Sequence, residues 1–258
     1  MDDILTRLVN DKAERKPVCL CVVIETQGSV PRHAGSKMLV YSEGATVGSV
    51  GGGGLESAVR TAALQALKTG KPDLLYYSLN KEKDVNVGIC GGNVSVYIEP
   101  HTRQPLLLIL GAGHVGKAVA KMAQPMNFKI IITDDREDVF SEYETTASLE
   151  TLTCPLAEVP KYVDIDENTY IVGVTRGADV DIAGLPTLLK TKPAYIGLIG
   201  SRKRWQFAKE GLLAAGVTEE VLTKIKTPIG LDIKAETPEE IAVSILAEVI
   251  SYKNQPKR

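Results

Sequence analysis

The first hundred residues combine one helical pattern with several β-branched runs. Apolar side chains recur at helical spacing over residues 2–15, at Ile4, Leu5, Leu8 and Val9. Strands are predicted at 18–26, 37–41, 73–79 and 93–99. Between the second and third of these strands, clustered glycines lead into an Ala/Leu-rich helix that ends near Gly70. This part of the chain is therefore predicted to be a small α+β domain.

From Leu106 onward the pattern changes to an apolar strand, a glycine turn and an amphipathic helix, followed by further strand and helix signals. Buried strands are predicted at 106–110, 129–135, 170–174 and 194–199. Such alternation predicts a Rossmann-like parallel sheet with helices on both faces. The last helix has a clear start, because Thr237, Pro238 and Glu240 supply an N-cap, a first-turn proline and a capping box.

A polar segment separates the two patterns. Residues 99–105 contain Pro100 and Pro105, which discourage regular structure. We therefore predict an N-terminal domain over residues 1–102 and a C-terminal Rossmann-like domain over residues 103–258.

Composition narrows the class of protein. The chain has 258 residues, of which 44% are hydrophobic and 24% charged, as is typical of globular proteins. A net charge of −2 and the absence of a basic domain argue against a nucleic-acid partner. The N-terminal residues lack the features of a signal peptide, and no run approaches the ~20 apolar residues of a membrane span. We expect a cytoplasmic protein without membrane contact.

Cysteine and histidine are sparse. The four cysteines are Cys19, Cys21, Cys90 and Cys154, and no two have CxxC spacing. Together with only three histidines, this spacing gives no zinc pattern, and cytoplasmic thiols are expected to be reduced.

A glycine-rich turn follows the apolar strand at 106–110. Gly111 permits the tight turn, Gly113 lets a pyrophosphate approach the backbone, and Gly116 lets helix and strand pack closely. Asp134, about 20 residues downstream, suits a ribose hydroxyl. His114 either faces a ligand phosphate or caps the chain. The motif predicts a Rossmann fold, which either binds a nucleotide such as NAD(P) or is an empty framework.

A basic turn follows the strand at 194–199. Gly200, Ser201, Arg202, Lys203 and Arg204 lie where a parallel sheet binds ligands and where a helix presents free N–H groups. An anion site including Ser201 and Arg202 is favoured over a solvated basic helix start.

Two glycine-rich segments in the N-terminal domain carry further candidates. Arg32 and Lys37 lie beside glycine turns, and Gly51, Gly52 and Gly53 form another such turn. Backbone N–H groups and cations together could cradle a phosphate, but the same glycines could simply form hairpin turns.

Cys90 is the candidate reactive thiol. It stands in the sequence GICGG, where flanking glycines leave the sulfur uncrowded and supply backbone donors that favour a thiolate. Cys19 and Cys21 are two apart in a predicted strand and are expected to point into the core.

The motifs taken together resemble the XdhC/CoxI family of xanthine dehydrogenase accessory factors. The resemblance rests on GSVPRHAGSKMLV, VGSVGGGGLE, GICGG, LLILGAGHVGKAVA, ITDDR, YIGLIGSRKR and IGLDIKAETPEEIAVSIL, and it runs from about Val22 to Ile250. Their joint order is more specific than any single motif. One departure is that many members carry a histidine after the TRG triplet, where this chain has Ala178.

The resemblance implies a maturation chaperone without turnover chemistry and without catalytic residues. Such proteins hold the molybdopterin form of the molybdenum cofactor, support its sulfuration by a cysteine desulfurase, and deliver it to a molybdenum hydroxylase. Cys90 matches the family thiol and is the candidate molybdenum ligand. Arg32, Lys37, Ser201 and Arg202 match the family's PR, K and GSR positions. A homodimer is left open.

Two alternative functions remain at this point. One is an NAD(P)-dependent oxidoreductase that uses the Rossmann domain for hydride transfer. It would need a proton donor near the nicotinamide, and no histidine follows His114. The other is a scaffold that joins sulfur donor and client without binding the cofactor.

Overall fold

The structure is a computed structural model that describes residues 3–79, 92–141 and 143–255. The chain divides into two compact units, Met1–Arg103 and Gln104–Arg258. The boundary expected from the sequence, after residue 102, differs from this division by one residue.

The N-terminal unit is built on a five-stranded sheet in which every neighbouring pair of strands is antiparallel, in the order β3-β2-β1-β5-β4. The strands are β1 (Val18–Gln27), β2 (Lys37–Tyr41), β3 (Thr46–Gly48), β4 (Asp73–Ser78) and β5 (Asn93–His101). The helices are α1 (Ile4–Ala13) and α2 (Gly53–Thr69). Side chains alternate between the faces of a strand, so Cys19 and Cys21 enter the core under α2 while Leu20 meets α1.

Helix α1 covers its sheet face only in part. Leu8 is buried, whereas Leu5 and Val9 on the predicted apolar face are 44% and 65% exposed. The helix is held on the sheet by Leu8 and by a hydrogen bond of 2.7 Å that the Tyr41 hydroxyl donates to Asp11.

Strand β5 continues through a proline that was expected to end regular structure. The strand was predicted to end at residue 99, and this is wrong for residues 100 and 101, which also belong to β5. The register explains why: β4 pairs with β5 only as far as Ile98, whereas Pro100 faces Cys19 of β1. Proline lacks the N–H donor, and it is tolerated where a strand has a neighbour on one side only.

The C-terminal unit has a five-stranded parallel sheet in the order β10-β9-β6-β7-β8. Its strands are β6 (Leu106–Leu110), β7 (Lys129–Asp134), β8 (Leu149–Thr153), β9 (Thr169–Gly173) and β10 (Tyr195–Leu198). Counted from β6, the order is the Rossmann arrangement, with its switch point between β6 and β9. The predicted α/β fold class is therefore confirmed.

Helices cover both faces of this parallel sheet. They are α3 (His114–Ala123), α4 (Val159–Tyr162), α5 (Ala178–Leu188), α6 (Arg202–Ala214), α7 (Glu219–Leu222) and α8 (Pro238–Lys253). Helices α3 and α8 pack on one face, while α5 and α6 contribute to the core on the other. The predicted capping box of α8 is confirmed, because Thr237 and Glu240 each accept a backbone N–H of the other. Within the described ranges, no helix is long and apolar enough to cross a membrane.

Candidate functional site

The glycine turn after β6 has the geometry that its three glycines require. A Cβ on Gly111, whose φ is +109°, would lie 2.6 Å from the carbonyl oxygen of Val174. A Cβ on Gly116 would lie 2.0 Å from the carbonyl oxygen of Gly111. A Cβ on Gly113 would meet no atom within 4 Å. The first and third glycines therefore serve close packing, whereas the second leaves open space at the start of α3.

Asp134, the predicted ribose partner, is bound to this turn. The residue is 6% exposed at the end of β7, and its Oδ2 accepts from the backbone N–H of Ala112 at 2.9 Å. Arg136 donates from its Nε to Oδ1 at 2.9 Å and from Nη2 to Oδ2 at 3.2 Å. The carboxylate thus ties the end of β7 to the glycine turn, and its contact with a ribose stays a prediction.

The neighbouring carboxylate, Asp135, forms a bidentate ion pair with Arg176. Arg176, from the turn after β9, donates through Nη1 to Oδ1 at 2.6 Å and through Nη2 to Oδ2 at 2.9 Å. These hydrogen bonds from Arg176 lower the pKa of Asp135 to about 2. Asp135 is therefore ionised at neutral pH.

A cavity of about 280 Å³ lies at this carboxyl edge of the sheet. Its lining includes Gly111, Asp134, Asp135 and Arg176. The segment after β8 and helix α5 add Asp179 and a set of apolar or small residues: Pro155, Leu156, Ala157, Val180, Ala183 and Gly184. A cavity lined by both charged and apolar residues, at the carboxyl edge of a parallel sheet, is where Rossmann folds bind ligands.

The basic turn after β10 has two structural roles that the sequence did not reveal. Ser201 is the N-cap of α6, and its hydroxyl accepts from the N–H of Arg204 at 3.2 Å. Arg204 donates to Asp181 Oδ2 at 2.7 Å and to the hydroxyl of Thr175 at 2.7 Å. Thr175 in turn donates to Asp181 Oδ1 at 2.6 Å.

The Arg204 network uses one of the three cations expected to bind an anion. It links the β10–α6 turn to the β9–α5 turn beside the cavity. Arg202 remains exposed and is available to an anion. The sequence gives one indication of this network. It is Asp181, an acid in the first turn of the helix that follows the TRG triplet.

His114 is exposed and does not cap its helix. The N-cap of α3 is Gly113, and no side chain accepts a hydrogen bond there. The capping alternative for His114 therefore has no support, and the ligand-facing alternative stays a prediction.

The N-terminal glycine turn is held by an acid that was not among the predicted site residues. Glu56 Oε1 accepts from the Ser49 hydroxyl at 2.6 Å and from the backbone N–H groups of Val50 at 3.2 Å and Gly52 at 3.0 Å. Burial opposes ionisation, but the hydrogen bonds from Ser49 and Gly52 outweigh it, so the pKa of Glu56 is lowered. An acid in the first turn of a helix after a glycine run is a signal that could have identified it.

Glycines 51, 52 and 53 differ in what surrounds them. A Cβ on Gly51 would lie 2.9 Å from Pro31 Cγ, so this glycine permits close packing. Gly52 and Gly53 have φ of +77° and +55°, and a Cβ on either would meet no atom within 4 Å. Their outer surface is thus open, even though the N–H of Gly52 is occupied by Glu56.

The two predicted N-terminal cations have different surroundings. Arg32 is exposed, whereas Lys37, at the start of β2, donates to the carbonyl oxygen of Gly35 at 2.9 Å. Arg32 is therefore the more available of the two for an anionic ligand.

Cys90, the predicted molybdenum ligand, lies outside the described residues. Cys19 and Cys21 are fully buried free thiols, as expected. Cys154 is also buried, and burial raises the pKa of its thiol. In the part of the chain that is described, no group of three or more His, Cys, Asp or Glu side chains could hold a metal ion.

Known proteins share this architecture and these motifs. The chain is 33% identical to the uncharacterized protein YqeB of Escherichia coli over 98% of its own length, but it spans only 46% of that relative. It is 25% identical to the E. coli protein named molybdenum cofactor insertion chaperone PaoD, over 92% of this chain and 84% of PaoD. It is 23% identical to a Bacillus subtilis protein named as a probable xanthine dehydrogenase subunit, over 97% of each chain.

A solved structure and two protein families also match. A Bacillus halodurans crystal structure described as a xanthine dehydrogenase has the same fold, with a TM-score of 0.53 and 22% identity over 98% of this chain and 96% of that one. Residues 12–78 match the XdhC and CoxI family, and residues 107–249 match the XdhC Rossmann domain. With the Rossmann strand order and the glycine motifs in place, these matches show that the chain belongs to the XdhC/CoxI family.

Proposed function

We propose that this protein binds the molybdenum cofactor, protects it, supports its sulfuration and delivers it to a molybdenum hydroxylase of the xanthine dehydrogenase type. The observation that carries the proposal is the similarity to PaoD, a named molybdenum cofactor insertion chaperone, along 92% of this chain. Shared family motifs in both units support the same role.

The N-terminal unit offers groups that fit an anionic pterin. The open surface of Gly52 and Gly53 would let a flat or phosphorylated ligand approach the backbone closely. Arg32 would supply positive charge, and Lys37 could do so after leaving the carbonyl of Gly35. Glu56 stabilises this turn through the hydrogen bonds that it accepts.

The thiol of Cys90 is the proposed molybdenum ligand. Thiolate sulfur is a soft donor suited to a metal already bound by a dithiolene. When bound, the cofactor supplies the molybdenum centre that the client hydroxylase uses. This chain would shield that centre from water and oxidants while a cysteine desulfurase donates sulfur to it.

The Rossmann unit is proposed to hold a nucleotide such as NAD(P). Gly113 leaves room for a phosphate at the start of α3, and Asp134 positions the turn. Ser201 and Arg202 are proposed to add anion contacts at the neighbouring helix start. This nucleotide is assigned to binding, and no hydride-transfer step is proposed for it.

The test is co-purification of the cofactor. The chain is produced in a host that makes molybdopterin, and the purified protein is examined for the fluorescence of oxidised pterin and for molybdenum. We expect both to accompany the protein in near-equal amounts. Folded protein without detectable pterin would support the scaffold alternative and would overturn the proposal.

A further inference from the structure

We infer that the cavity beside the glycine turn is a nucleoside site in which Asp135, rather than Asp134, binds the ribose and an apolar slot under α5 receives the base. The inference rests on the proposed nucleotide occupancy of the Rossmann unit and deepens it. It names the contact residues and the class of ligand, a 5′-nucleotide with a free 2′-hydroxyl.

Asp134 has little acceptor capacity left for a ribose. An ionised carboxylate has about four lone-pair sites. Oδ2 of Asp134 already accepts from Ala112 and from Arg136 Nη2, and Oδ1 accepts from the Nε and the backbone N–H of Arg136. A ribose hydroxyl would have to displace one of these donors from a residue that is only 6% exposed.

Asp135 faces the same cavity and keeps unused acceptor sites. Each of its oxygens accepts one hydrogen bond from Arg176, so about two lone-pair sites remain. Its side chain is 37% exposed, whereas that of Asp134 is 5% exposed. Asp135 can therefore accept from the 2′- and 3′-hydroxyls of a ribose without losing its ion pair.

The apolar part of the cavity lining suits a neutral aromatic base. Leu156 and Pro155 approach from the segment after β8, and Val180 and Ala183 approach from α5. A volume of about 280 Å³ is near the lower end of the ~300–1,000 Å³ range of small-molecule sites, which fits a nucleoside better than a whole dinucleotide. The 5′-phosphate would then extend towards the open surface of Gly113.

The charges around the cavity disfavour a 2′-phosphate. Its described lining contains three carboxylates, Asp134, Asp135 and Asp179, and one arginine, Arg176. That arginine is already engaged by both oxygens of Asp135. A phosphate placed beside Asp135 would meet like charge, so the site should select a free 2′-hydroxyl.

The experiment measures binding of three probes to the full chain by calorimetry: AMP, 2′-deoxy-AMP and adenosine 2′,5′-bisphosphate. In the wild-type protein we expect AMP to bind about tenfold more tightly than 2′-deoxy-AMP, as for a hydrogen bond to a charged group. The bisphosphate should also bind at least about tenfold more weakly than AMP, because of like-charge repulsion. Asp135→Ala should bring the AMP to 2′-deoxy-AMP ratio close to one, and it should improve binding of the bisphosphate relative to AMP because Arg176 is released.

A slot-filling variant tests the base contact. Ala183 is exposed on α5 yet lines the cavity, so Ala183→Met adds bulk to the slot without disturbing the core. It should weaken AMP binding about tenfold or more, while the same substitution at exposed Ala214 at the end of α6 should leave binding unchanged. CMP and GMP in place of AMP show which base the slot prefers.

Three results would overturn the inference. The first is that AMP does not bind at millimolar concentration. The second is that Asp135→Ala leaves the ratio of AMP to 2′-deoxy-AMP affinity unchanged, and the third is that Ala183→Met leaves the affinity for AMP unchanged. Pterin retention is measured separately, so a chain that keeps pterin but does not bind AMP contradicts the nucleotide site and leaves the proposed chaperone role standing. A chain that binds AMP but retains no pterin contradicts the proposed chaperone role alone.

Discussion

The carboxylate of Asp134 accepts a hydrogen bond at 2.9 Å from the backbone N–H of Ala112, which lies 22 residues earlier in the glycine turn. This bond joins the ends of two neighbouring parallel strands, β6 and β7, at the edge where ligands bind. It shows that an acid in the expected Rossmann position stabilises the glycine turn.

Removing this carboxylate should destabilise the Rossmann unit. In Asp134→Ala, the N–H of Ala112 loses its partner and the site is buried, so we expect a loss of about 1–3 kcal/mol in the free energy of unfolding. Chemical denaturation measures the change. Asp232→Ala serves as the control, because Asp232 is an exposed acid paired with Lys234 on the surface, and it should leave the midpoint unchanged. Equal midpoints for Asp134→Ala and wild type would contradict the anchoring role.

The arginines of the basic turn after β10 should separate into structural and binding roles. Arg204→Ala leaves Asp181, which is 3% exposed, without its ionic partner. We expect a loss of about 3 kcal/mol in unfolding free energy, the lower end for a broken buried pair, because Arg204 itself stays partly exposed. Arg202→Ala should leave stability unchanged and weaken binding of the nucleotide. The reverse pattern in denaturation and binding measurements would refute this division.

The network around Arg204 should also show coupling. Since Arg204 and Asp181 share one ion pair, the double variant Arg204→Ala with Asp181→Asn should lose less stability than the sum of the two single variants. Additive losses would mean that the two side chains act independently.

Glu56 should make the N-terminal unit sensitive to acid. Its folded pKa lies below its ordinary value of 4.5, so its contribution is fully present above that pH and is lost as the pH falls through the lower, folded pKa. Glu56→Gln should therefore be less stable than wild type by about 1 kcal/mol at pH 7. The difference should shrink as the pH falls below 4.5. Denaturation series at pH 7 and pH 3.5 provide the measurement, and a difference that is independent of pH would contradict the role of the charge.

Two cysteine variants should behave in opposite ways. Cys90→Ala should reduce retention of the molybdenum cofactor and cost less than about 1 kcal/mol in stability, because a small side chain between glycines in the sequence is expected to add little packing. Cys19→Ala should lower stability, since Cys19 is fully buried, and should leave retention nearly unchanged. Pterin fluorescence and thermal unfolding of the purified variants test both. Full retention of the cofactor by Cys90→Ala would contradict the assignment of this thiol to the cofactor site.

Local patterns predicted much of the fold. The bounds of β2 and the capping box of α8 follow from neighbouring residues alone, and the structure confirms them. Strand β8 was missed because only two of its five residues, Leu149 and Leu152, are apolar and they do not alternate with the polar ones. Whether Leu5 and Val9 are covered depends on how far α1 reaches across the sheet, which periodicity does not specify.

The site was harder to predict than the fold, because its key contacts join residues far apart in sequence. Arg204 and Asp181 are 23 residues apart, and Arg176 and Asp135 are 41 apart. From the sequence, Arg204 was assigned to a candidate anion site, and none of these four residues was paired with another. Only the folded sheet brings their strand ends together, and the pairing then decides which cations remain available to a ligand.

The most direct test of the central claim is transfer of the cofactor. The chain is purified with bound cofactor from a molybdopterin-producing host and mixed with a xanthine dehydrogenase-type hydroxylase produced without cofactor. After the two proteins are separated, pterin and molybdenum are measured on each, together with hydroxylase activity. The chaperone account predicts that both leave this chain and appear on the hydroxylase as activity rises. Cofactor that stays on this chain, or a hydroxylase that free cofactor activates equally well, would contradict it.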